Sequence, residues 1–224
     1  MKNNAIITTL KILLLIWLAL VISGAFLWAP LAKGLKEYTR VLYFHVPMAW
    51  ITVIAFLMSA IYSILYLKKR LPIYDLYAEA TNQLGIIFAI LATITGSIWA
   101  KASWGAFWNW DPRETSIFIL LLIYAAYFAL RSAIEEDDKK AALSAVYSIL
   151  AFVTVPFFIF IVPRIYDSLH PDPVINEEGE INMGGSILTV FISSIAGFTA
   201  LFFWLFKLKV DLIKAKIQLN ELER

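Results

Sequence analysis

The chain contains no cysteine, which excludes disulfides and thiolate metal ligands, so any bound group is held without a covalent bond to sulfur. Charge is also scarce. Asp, Glu, Lys and Arg make up 16% of the 224 residues, and the net charge is only +2. That balance gives no argument for nucleic acid, and no basic stripe interleaved with aromatics appears. Apolar side chains fill the gap: 61% of the residues are hydrophobic, against about half in a soluble domain. The composition is that of an integral membrane protein.

Crossing the hydrocarbon core takes about 20 apolar residues in a helix. Runs of that order cover 12–30, 47–67, 82–100, 115–131, 141–162 and 187–206. They are continuous, whereas barrel strands alternate apolar and polar residues over about ten positions. The expected fold is an all-α bundle of six transmembrane helices, a single membrane domain over 1–224. The first run continues through Phe26, Leu27 and Trp28, too long for a cleaved signal peptide. Thirteen of the 19 Lys and Arg, among them Lys68, Lys69, Arg70, Lys139 and Lys140, fall on the side of the termini. Both termini are therefore expected in the cytoplasm. The tail 207–224 alternates apolar and charged residues at roughly helical spacing and is expected to extend the sixth span.

Two connections lie on the inner side. The second, from Arg131 to Lys140, is a mixed charge run of the kind usually found on a solvated face. Three connections, 31–46, 101–114 and 163–186, lie on the outer side. The middle one is the most unusual segment: Trp104-Gly-Ala-Phe107-Trp108-Asn-Trp110-Asp111-Pro-Arg113-Glu114. Interfacial Trp and Tyr commonly serve as anchors, but with Trp99 this stretch holds four of the eight Trp. Such a density suits an aromatic platform for something large and flat. If 104–111 is helical, Trp104, Phe107, Trp108 and Asp111 share one face. Asp111-Pro-Arg-Glu114 reads as a helix start, with Asp as N-cap and Pro at the first helical position. Asp111 would then cap the fourth span and orient the platform.

Both histidines of the chain, His45 and His170, fall on the outer side. Chance would place both there about one time in seventeen under this topology. Pro47 suits the first turn of the second span, leaving His45 just ahead of that helix. A single interfacial histidine is usually a hydrogen-bonding loop residue. Two neutral imidazoles beside an indole platform fit axial ligation of a haem iron. Zinc competes only if Asp111, Asp167 or Asp172 completes a set of three or more ligands. Haem propionates call for cationic partners, and Arg113, Arg40, Lys101 and Arg164 are all on the correct side.

The tryptophan segment resembles the signature of the tryptophan-rich haem-handling proteins of cytochrome c maturation. Tyr43-Phe-His45-Val-Pro47-Met-Ala-Trp50, the length and the six spans look most like the cytochrome c maturation protein C branch. The likeness covers about residues 40–175. It implies haem b held transiently and non-covalently on the outer face of the inner membrane, between His45 and His170 as axial ligands. Trp104, Phe107, Trp108, Trp110, Asp111 and Arg113 would complete the binding site. The implied partners are a membrane-anchored periplasmic haem chaperone and an ATP-binding-cassette complex. Larger relatives that attach haem use further histidines inside the membrane, which this chain lacks, so no enzymatic role is expected. Phe107 departs from the Trp or Tyr common at its place, and the loop after His170 matches least well.

Two other classes compete. A small transporter or proton-coupled channel needs ionisable residues inside the spans, and these contain no Asp or Glu. An enzyme using Asp111 and Glu114 as acid and base competes with the capping pattern, which already accounts for both.

Overall fold

The computed structural model describes residues 2–32, 34–170 and 183–222. Lys33, Pro171, Asp172, Pro173, the acidic residues Glu177, Glu178 and Glu180, and Arg224 lie outside the described residues. Among the described residues every regular element is helical. The helices are α1 (Lys2–Ser23), α2 (Leu42–Lys69), α3 (Pro72–Trp104), α4 (Pro112–Ser132), α5 (Asp137–Pro156), a short α6 (Val162–Ile165) and α7 (Gly185–Leu222). Six stretches of the described residues are long and apolar enough to cross a bilayer, as composition required. α7 continues unbroken through most of the expected cytoplasmic tail.

α2 and α3 form the most extensive pair; α7 packs on α1, α2 and α3, while α4 and α5 pack on the pair's other side. Lipid offers little hydrophobic drive for helix association, so close approach must come from small residues and interhelical hydrogen bonds. Both are present. Ala55, Ser59 and Ala60 of α2 and Ala78, Thr81, Gly85 and Ala89 of α3 are all buried, and Phe56 and Ala55 pack over Gly85. Ser59 Oγ reaches the Ala78 carbonyl at 3.1 Å and Ser148 Oγ of α5 at 2.8 Å.

α3 begins ten residues before the expected span. The extension is made possible by Arg131, the last basic residue of α4, whose guanidinium forks onto Asp75 at 2.8 and 2.7 Å and reaches Glu79 at 3.0 Å. This half-buried cluster sits at the end of the bundle where α2 turns into α3. The two histidines lie at the other end.

α2 starts earlier than the sequence suggests. A 3₁₀ turn over Lys36–Val41 runs directly into it, so His45 is inside the first turn and Pro47 in the second. Proline cannot donate to the carbonyl four residues back. That carbonyl belongs to Tyr43, and the buried Ser194 hydroxyl of α7 donates to it instead. The backbone gap left by Pro47 thereby becomes a link between α2 and α7.

At Gly85 an added Cβ would lie 2.5 Å from Phe56 Cε1 and 3.2 Å from Ala55 Cβ. Overpacking a filled core costs about 1–3 kcal/mol. Gly85→Ala is expected to lower the thermal unfolding midpoint of the detergent-solubilised protein; an unchanged midpoint would contradict the packing described.

Candidate functional site

His45 faces α3. Its Nδ1 lies 2.9 Å from the Ala92 carbonyl and 3.3 Å from Thr95 Oγ1. A carbonyl only accepts, so Nδ1 carries the proton and Nε2 keeps its lone pair. Ligating histidines characteristically donate one ring N–H to an oxygen so that the other nitrogen is fixed for the metal.

The tryptophan segment is not one helix. α3 ends at Trp104, and Gly105 turns the chain in the left-handed region at φ 84°. Trp110 also adopts a positive φ, 55°, a rare conformation for so bulky a residue. These two reversals break the single face expected for Trp104, Phe107, Trp108 and Asp111. Phe107 is exposed beneath Lys101, and Trp110 is 70% exposed. Trp108 points inward, edge-on to both Trp110 and Phe118.

Asp111 caps α4 through a complete capping box. Its carboxylate accepts from the Arg113 N–H at 2.9 Å, while Glu114 Oε2 accepts from the Asp111 N–H at 3.3 Å and the Asn109 N–H at 2.6 Å. The same buried carboxylate gathers the segment before the last loop. It accepts from Ser168 Oγ at 2.9 Å, the Leu169 N–H at 2.7 Å and His170 Nδ1 at 3.1 Å. Burial opposes its ionisation, but these donors outweigh burial and hold its pKa below the usual carboxylate value. Burial, reinforced by the Arg113 cation, pushes His170 down to about 4 despite Asp111. The pair is therefore a neutral imidazole donating to a carboxylate, which again leaves Nε2 as the free nitrogen. Trp104 and Trp99 pack against the His170 ring at 4.7 and 6.0 Å between centroids.

His45, His170, Trp108 and Arg113 all line one cavity of about 590 Å³, a size within the roughly 300–1,000 Å³ of small-molecule and cofactor sites. Its other walls are chiefly apolar surfaces of α2, α3, α7 and the π turn after Pro156. Trp50, Phe160 and Ile192 line it and are also about half exposed. All three belong to membrane-spanning stretches, so the mouth is on the flank of the bundle. Of the four cations expected as propionate partners, only Arg113 and Arg164 line the cavity. Arg40 is held by Glu37 and the Ala25 carbonyl, and Lys101 by the Gly105 carbonyl. Among the described residues no three His, Asp or Glu converge on a metal-ion site.

Sequence reasoning missed Ala92, Gly96 and Ser168 as parts of this site. Only Ser168 carried a local signal: a serine two residues before His170 can turn back to its N–H, as it does at 3.2 Å.

A family model described as heme exporter protein C matches residues 2–223. The chain is 32% identical over 177 residues to the heme exporter protein C of Rhodobacter capsulatus, an alignment covering 79% of this chain and 73% of that one. The corresponding protein of Bradyrhizobium diazoefficiens is 31% identical over 163 residues, covering 73% and 62%. A mitochondrial protein of Marchantia polymorpha, named for cytochrome c biosynthesis and likeness to ccmC, is 29% identical over 190 residues, 84% of this chain and 76% of that one.

Two outcomes are expected at this site. Asp111→Ala removes the cap, worth about 0.5–2 kcal/mol, and frees the 168–170 segment, so it should destabilise the protein more than Ser168→Ala in thermal unfolding. For His170, the unfolded imidazole titrates near 6.5, above its folded pKa of about 4. The unfolded chain binds more protons in that window, so the contribution of His170 to stability is full above about 6.5 and is lost as pH falls towards 4. NMR titration of labelled His170 should show it neutral at pH about 5.5; a midpoint near 6.5 would contradict the buried pairing.

Proposed function

The chain belongs to the heme exporter protein C family, and from that membership and the geometry above we propose that it binds haem b reversibly as a cargo for c-type cytochrome biogenesis. One observation carries the reading: two imidazoles, each with Nδ1 spent on an oxygen acceptor, border a single apolar cavity of cofactor size. Nitrogen ligands with free lone pairs suit a haem iron, and indole and phenyl walls suit the porphyrin faces. His45 and His170 are the axial ligands in this reading. Trp108 forms one wall, Trp104 supports His170 from behind, and Trp110 and Phe107 extend the aromatic rim outside the cavity. Arg113, with Arg164 beside the same cavity, meets the propionates, since a guanidinium pairs with carboxylates through two N–H groups.

The protein holds and presents haem without bond chemistry of its own. The bundle sits in the cytoplasmic membrane with the histidine end towards the periplasm, supported by the concentration of Lys and Arg at the opposite end. Haem leaves to a membrane-anchored periplasmic chaperone, with an ATP-binding-cassette complex as the assembly partner. A mouth on the bundle's flank leaves one edge of the cargo accessible to such a partner.

Purified protein loaded with haem is expected to give a low-spin Soret spectrum. His45→Ala and His170→Ala should each weaken it, and unchanged spectra in both would overturn the ligand assignment. Arg113→Gln combined with Arg164→Gln should weaken binding of haem but not of its dimethyl ester, which lacks the carboxylates; equal losses for both would reject the propionate role.

A further inference from the structure

We propose that Gly96 is a positioning residue for His45: its missing side chain is the seat on which the imidazole rests, and any larger residue there moves Nε2 away from the iron. The inference rests on the reading that His45 is an axial ligand. A Cβ built on Gly96 would lie 2.8 Å from His45 Cε1, 3.2 Å from Nδ1 and 3.7 Å from Nε2, and these are the three nearest atoms it meets. Among the described residues nothing else crowds the position so closely.

The ring is tethered at Nδ1, so yielding into the cavity has a cost. Ala92, Thr95 and Gly96 occupy positions i, i+3 and i+4 on one face of α3. The first two hold Nδ1 through the carbonyl at 2.9 Å and the hydroxyl at 3.3 Å. A shift that relieves a Cβ clash therefore stretches or breaks those bonds. α2 cannot readily slide as a unit either, because the Tyr43 carbonyl, two residues before His45, is held by Ser194 of α7.

Glycine inside a helix costs about 1 kcal/mol relative to alanine, and Gly96 lies in ordinary helical backbone within α3. Its presence is explained by close approach, not by backbone conformation. Gly85, eleven residues earlier on the same helix, offers an internal comparison. There the close atoms belong to Phe56 and Ala55, so it serves packing between α2 and α3 away from the histidine.

The test is a double-mutant cycle on the full chain, purified in detergent and loaded with haem, read by absorption and electron paramagnetic resonance. Gly96→Ala is expected to lose the low-spin signature to the extent that His45→Ala does. In the His45→Ala background the same substitution should add nothing, because the clash has no partner. Gly85→Ala should lower the melting temperature yet keep the wild-type spectrum. A wild-type spectrum in Gly96→Ala, or an equal further change when His45 is already absent, overturns the proposal. If Gly96→Ala does not fold, recovery of folding in the Gly96→Ala, His45→Ala double variant supports the steric seat, and failure of both overturns it. A wild-type spectrum in His45→Ala is a different result: it removes the ligand reading, and the role of the seat falls with it.

Discussion

Each histidine gives its Nδ1 proton to an oxygen fixed by the fold, and the site follows from that. A polar N–H at membrane depth must find an internal partner, because the bilayer core offers no water. For His45 the partners are the Ala92 carbonyl and the Thr95 hydroxyl; for His170 the partner is the Asp111 carboxylate. In both rings the proton's location fixes the lone pair's location. Nδ1 is occupied in each, and Nε2 keeps its lone pair beside one cavity.

The two supports differ in kind. His45 rests on the backbone of a long helix, with α7 tied to the turn before it through Ser194 and Tyr43. His170 lies in the segment after α6 and is held by one carboxylate that also caps α4 and fixes Ser168 and Leu169. Asp111 thus couples the start of a membrane helix to the position of an imidazole 59 residues away in sequence. One imidazole is on a rigid element and the other on a segment whose anchoring is local.

The tryptophans divide by where the chain reverses. Left-handed turns at Gly105 and Trp110 separate residues that a continuous helix would have aligned. Trp108 goes into the cavity, Trp104 joins Trp99 around the His170 ring, and Phe107 and Trp110 face out. The aromatic richness was legible in the sequence, but its partition was not, because a positive φ at a tryptophan has no residue-type signal of the kind glycine gives.

Hydropathy and length by themselves determined the six membrane helices, since a spanning segment must satisfy its own backbone and present an apolar surface over a fixed thickness. The capping box at Asp111 was equally local, for it needs only four consecutive residues. The Arg131 cluster with Asp75 and Glu79, the start of α2 ahead of His45, the reach of Ser194 to the Tyr43 carbonyl and the seat at Gly96 were decided by tertiary structure alone. Apart from the start of α2, each joins residues dozens of positions apart, and composition and periodicity describe one helix at a time. Which helix face meets which neighbour, and how closely, is set only when the helices pack.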